Sequence, residues 1–224
     1  MLPNMSPQAF MKLCRHYMNV SVETPEESKE RFSFDPCVEI RPSTHGNGVF
    51  ATRDIKKGDI ITYYPAHYIQ ITSFPLILTK PEHTKGDKPN DEYLYTSIKG
   101  NYSITGHPRL TDNPYMVGHI VNDPCDEVFK REDETFGKWV GRYLLSVSMK
   151  RNSRFTELDS GLIAITALKD IKKNEEILIA YDIQYWGMKN GFIKDGETLK
   201  GILNRLINEI GKSRTTFLWS LMSQ

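Results

Sequence analysis

Apolar positions along the chain change their period twice. Near the amino terminus Phe10, Leu13, Cys14, Tyr17 and Met18 recur at helical spacing, with Ser6 as a helix-capping residue and Pro7 at the first helical position. The charged stretch 21–31, SVETPEESKER, reads as a solvated link. From Val38 to about Tyr68 the apolar runs shorten to VEIR, GVFATRDI and DIITYYPAHYI, broken by turn residues, which predicts strands. Residues 79–92 are polar, with two prolines and a glycine, and predict a surface loop. EYLYTSI and NYSIT continue the strand pattern, and 127–139 reads as an exposed insertion. YLLSVSM, GLIAITALKDI and EEILIAY are again strand-like. Helical spacing returns at Leu199, Ile202, Leu203, Leu206, Ile207 and Ile210, whose stripe either packs on the body of the protein or serves a partner or dimer. The predicted fold class is mainly β with flanking helices. The predicted segments are an N-terminal helix and linker over 1–37, a β-rich domain over 38–187 and a C-terminal helical segment over 188–224.

One phrase occurs twice, as DIKKGDII at 54–61 and DIKKNEEIL at 170–178. In each copy an apolar run enters a Lys-Lys turn and a second apolar run leaves it. The turn residue is Gly58 or Asn174, the two residue types that best tolerate positive φ. The local pattern predicts a β-hairpin used twice.

Composition narrows the function classes. Of 224 residues 39% are hydrophobic, enough for a sizeable core, and 29 Lys and Arg against 28 Asp and Glu leave a net charge of +1. Such a balance gives no broad field for nucleic acid, so no direct nucleic-acid binding is expected. Three scattered cysteines, Cys14, Cys37 and Cys125, are too few for a disulfide framework and fit a reducing compartment. The amino terminus does not read as a signal peptide, and no stretch approaches the ~20 apolar residues that span a bilayer. An intracellular, soluble protein is therefore expected.

Ahead of the first copy stands HGNGVFA, with Gly46 and Gly48. A dinucleotide-binding Gly-x-Gly must open a helix, and the VFATRDI that follows has no helical period. The glycines suggest instead a backbone that another group approaches closely. After the second copy stands an aromatic cluster, Tyr181, Tyr185 and Trp186, and between the copies lies GHIVND, with Asn122 next to Asp123.

Taken in order, GNGVFATRDIKKGDII, GHIVND and IKKNEEILIAYDIQYW resemble the SET-domain protein lysine methyltransferases, over about residues 38–187. The resemblance implies S-adenosylmethionine as cofactor and a lysine side chain of a protein as substrate, a histone being one candidate. It implies Tyr181 as the catalytic tyrosine and Asn122 as the asparagine holding the amino acid end of the cofactor. Further cofactor contacts are expected at Gly46, Asn47, Gly48, Asp123 and Trp186, and a lysine channel at Tyr64 and Tyr181. Core packing is the alternative for Tyr64 and for Trp186. The motif's arginine is His119 here and its histidine is Asp123. No cysteine follows Cys125, so the family's post-SET zinc cluster is missing and no metal is expected. The segment after Tyr185 is the expected cover in its place. The competing reading is a SET-fold peptide-binding module that has lost catalysis. A dimer through the C-terminal helix and a nuclear or host-nuclear address complete the expectations.

Overall fold

In the computed structural model the described residues are 7–71, 76–79, 93–96, 102–125, 128–129, 131–194 and 196–222. Ser6 and nearly all of the expected 79–92 loop lie outside them. The chain forms two compact units, one of residues 1–121 and 152–177, the other of residues 122–151 and 178–224.

In the first unit α1 (Pro7–Val20) buries Phe10, Cys14, Tyr17 and Met18, as their spacing predicts. The buried Tyr17 hydroxyl donates to the Tyr64 carbonyl at 2.6 Å and accepts the Ile163 N–H at 3.0 Å. One buried side chain thus pairs with two backbone groups far apart in sequence. The expected link holds a second helix, α2 (Pro25–Arg31). Thr24 and Glu27 form a reciprocal capping box around Pro25, a T-x-x-E signature that the charged composition concealed.

Three antiparallel sheets follow among the described residues. β1 (Val38–Ser43) pairs with β2 (Gly46–Ala51). β3 (Ile60–Tyr63) belongs to a three-stranded sheet, and β4 (Tyr68–Ile71), β5 (Leu76–Thr79), β6 (Leu94–Thr96) and β7 (Tyr102–Thr105) form a sheet of order β5-β4-β7-β6. The partners of β3 are β8 (Ser153–Glu157), which the hydrophobic pattern did not show, and β9 (Ile163–Ala167), in the order β3-β9-β8. The core of this unit joins the α1 face to Tyr63, Ile69, Ile104, Tyr115 and Ile163.

The repeated phrase corrects the double-hairpin expectation. Gly58 and Asn174 do take positive φ, +91° and +71°. Neither copy, however, closes on itself. Ile55 and Ile171 exchange both backbone hydrogen bonds at 2.9 Å, so each copy pairs with the other. The turns dock reciprocally as well: the Gly58 N–H donates to Ala167 at 2.9 Å and the Asn174 N–H to Ala51 at 2.8 Å. A short apolar run beside a turn finds its ladder in any matching edge, and the matching edge here is the second copy.

The second unit is helical around α3 (Phe136–Lys150), α4 (Ile183–Lys189), α5 (Leu199–Ile210) and α6 (Lys212–Met222). Two expectations change here. The end of the expected insertion, from Phe136, and the expected strand at YLLSVSM are one helix, because Phe136, Trp139, Val140, Tyr143, Leu144 and Val147 form a continuous helical stripe and are all buried, whereas 131–133 and 135, ahead of the helix, are exposed as expected. Reading the halves separately broke the period. Ile202 and Leu206 of α5 enter the same core, with Ile193 and Leu218. The segment after residue 190 therefore contributes to the core of this unit, with Phe192 packed on Phe136 and Trp139. Among the described residues no helix is long and apolar enough to cross a membrane.

Candidate functional site

In the first unit the β1–β2 turn places Gly46 at φ +89°, where a Cβ would meet nothing within 4 Å. Gly46 is thus a turn requirement. Gly48 differs: a Cβ there would fall 2.2 Å from a carboxylate oxygen of Glu176, and that carboxylate accepts the Ser43 hydroxyl at 2.8 Å. Close approach to the glycine backbone, expected from the sequence, is made by Glu176. Asn47 between them is exposed.

Tyr64 is buried, donates its hydroxyl to the Tyr93 carbonyl and sets its ring edge-on to Phe155 and His119. His119, in the motif's arginine place, is buried among aromatic rings. Its Nε2 sits 3.0 Å from the His107 carbonyl and Nδ1 has no hydrogen-bond partner among the described residues. Burial, with a smaller push from His67, drives its imidazole down to about 3, so it is neutral. The ring also explains Gly106, where a Cβ would fall 2.4 Å from it. Among the described residues no three His, Cys, Asp or Glu side chains converge as a metal site.

In the second unit four of the sequence-selected residues lie together. Asn122 pairs in parallel with Leu178, its carbonyl accepting the Ile179 N–H at 2.9 Å. This bridge sets Asp123 beside Tyr181. The Asp123 carboxylate is 5% exposed and accepts three donors: the Tyr143 hydroxyl at 2.7 Å and the Tyr181 N–H at 2.8 Å on Oδ2, and the Cys125 N–H at 2.9 Å on Oδ1. Burial raises its pKa above the ordinary carboxylate value, and those donors oppose the rise. The Trp186 indole N–H faces the same carboxylate without closing a hydrogen bond of good geometry.

The Tyr181 ring lies parallel to Trp186, with centroids 6.0 Å apart and planes 7° apart, and meets Tyr185 edge-on at 5.4 Å. Tyr143, which sequence reasoning missed, is fully buried and stacks on Trp139 at 5.7 Å. The helical stripe of α3 was the signal that could have found it.

The SET domain family profile matches residues 46–182. The chain belongs to the SET domain family. Its match opens on the Gly46 turn and closes at the Tyr181–Asp182 pair. Among solved structures, the SET domain chain is similar to a Plasmodium falciparum protein described as a candidate histone methyltransferase, with 19% identity and TM-score 0.37 over 68% of this chain and 99% of that one. It is also similar to the methyltransferase domain of human PR domain-containing protein 2, with 20% identity and TM-score 0.37 over 79% and 92%. No curated protein gives a significant match.

Proposed function

We propose that this SET domain protein transfers a methyl group from S-adenosylmethionine to a lysine side chain of a protein, a histone tail being the first candidate. The observation that carries the reading is the family match over 46–182, which closes on Tyr181 in its aromatic cluster. When bound, the cofactor supplies an electrophilic methyl group on a sulfonium sulfur. The second unit offers two groups to it: Asn122, a buried polar residue next to Asp123, and the Trp186 indole N–H, which faces Asp123 without a hydrogen bond of good geometry.

Asn122 and Trp186 are the proposed cofactor contacts. Asp123, whose carboxylate already holds three protein donors, is assigned a positioning role. Tyr181 is proposed to orient the incoming amine through its hydroxyl. The amine must be neutral to attack, and aromatic surroundings that desolvate it favour the neutral form over a cation of ordinary pKa about 10.4. Positioning then supplies much of the acceleration. The two exposed apolar residues of α5, Leu199 and Ile207, are the proposed dimer surface.

The test is incubation with isotopically labelled S-adenosylmethionine and a panel of histones and lysine peptides, read by mass spectrometry, with calorimetry of cofactor binding in the presence and absence of a chelator. Methylated lysine and chelator-insensitive binding are expected. Binding without turnover on any substrate would favour the peptide-binding reading, and no cofactor binding would overturn the proposal.

A further inference from the structure

We propose that Asp123 and Tyr143 are positioning residues that aim the Tyr181 ring, acting through the Tyr181–Asp182 backbone. The inference rests on reading Tyr181 as catalytic, and concerns how this chain holds it.

Asp182 has φ +122° and ψ 170°. That region is open essentially to glycine alone, and another residue stays there only when its surroundings over-determine it. Its surroundings do so. The Asp182 N–H donates to the Tyr143 hydroxyl at 3.2 Å. The Asp182 side chain accepts the Tyr185 N–H at 2.7 Å, and its carbonyl accepts the Trp186 N–H at 3.4 Å. One residue earlier, the Tyr181 N–H ends on Asp123 Oδ2, the oxygen that also takes the Tyr143 hydroxyl. Two consecutive backbone donors therefore close on one coupled pair.

Both contacts are made by backbone N–H groups, not by the Tyr181 side chain. The pair instead fixes the peptide on either side of the Tyr181 Cα, and so the direction in which the ring leaves the backbone. The other end of the clamp is rigid: Tyr143 sits in the middle of α3, fully buried and stacked on Trp139, whose indole N–H donates to the Val128 carbonyl at 2.8 Å. The chemistry favours a carboxylate at 123. A carboxylate accepts from Tyr143, Tyr181 and Cys125 together, whereas an asparagine amide would turn an N–H₂ toward at least one of those donors.

The test uses the full chain with Tyr143→Phe, Asp123→Asn and the double variant. A displacement of about 1 Å at a reacting group can cost on the order of 100-fold, so kcat is expected to fall about 10- to 100-fold in each single variant while both KM values change little. The double variant is expected to lose no more than the worse single, because both act through one oxygen. An independent readout is the ring NMR resonances of Tyr181, which carry the ring current of Trp186 and should move in both variants. Unchanged resonances, or unchanged kcat per folded molecule, would overturn the clamp. Should Asp123→Asn fail to fold, Tyr143→Phe decides alone, since it leaves Asp123 its two N–H donors. Should the parent chain methylate nothing, the catalytic reading of Tyr181 falls, and the resonances still decide whether the pair sets its orientation.

Discussion

Asp54, in the first copy of the repeated phrase, accepts the backbone N–H of Lys173, in the second, at 3.0 Å. It also takes the ammonium of Lys172 at 2.8 Å. Asp170 does the same in return, accepting the Lys57 N–H at 3.0 Å and the Lys56 ammonium at 3.1 Å. The repetition in the sequence is thus a reciprocal clasp, each copy supplying the acid that caps the other's turn.

That clasp predicts an acid-labile contribution. Hydrogen bonding to Lys172 and then Lys173 lowers the Asp54 pKa, and bonding to Lys57 and then Lys56 lowers that of Asp170. A depressed carboxylate stabilises the fold above its unfolded value, about 3.9, and loses that effect as pH falls through the folded value. Asp54→Asn should therefore lower the urea midpoint at pH 7 and match the parent once both acids are protonated. Because the partners are exposed, the difference should shrink in high salt without vanishing, since the N–H caps persist. A midpoint difference independent of pH would sink this account.

Gly48→Ala tests the packing of Glu176. The new methyl must displace the Glu176 carboxylate and crowd Ser43 Cβ, which a Cβ would approach to 2.9 Å. Overpacking of this kind costs about 1–3 kcal/mol. Glu176→Ala in the same chain should recover part of the loss, so the two changes should be non-additive in thermal melts. Additive losses would mean that Glu176 is not what excludes a side chain at 48.

His119 should set part of the acid limb. Held near 3 in the folded chain against an ordinary 6.5, it stays neutral when folded and takes up a proton on unfolding. Stability present above pH 6.5 is then lost as pH falls toward 3, with a slope of up to about 1.4 kcal/mol per pH unit. His119→Gln, measured between pH 6.5 and 5 where carboxylates contribute little, should show a shallower decline than the parent. Parallel declines would exclude the effect.

Tyr181→Phe removes one oxygen and keeps the ring against Trp186, so melting and cofactor binding should be nearly unchanged. Losing a group that stabilises charge at a reacting centre costs on the order of 10²–10³ in rate, and turnover should fall by that much. A variant that melts normally and methylates near the parent rate would remove Tyr181 from the chemistry.

Much of this protein was legible in its amino acids. The helical period of Phe10, Cys14, Tyr17 and Met18, the strands around VEIR, GVFA and NYSIT, and the positive φ of Gly58 and Asn174 are local properties, decided by spacing and by which residues tolerate a backbone conformation. The family, too, was legible, because its three motifs stand in order along the chain. Partner choice was not. Nothing local says that Ile55 pairs with Ile171, that Glu176 fills the space over Gly48, or that Tyr143 holds Asp123. Hydrogen-bond partners far apart in sequence meet only once the core has formed, and the strained backbone of Asp182 exists only because donors and acceptors from α3 and α4 converge on it.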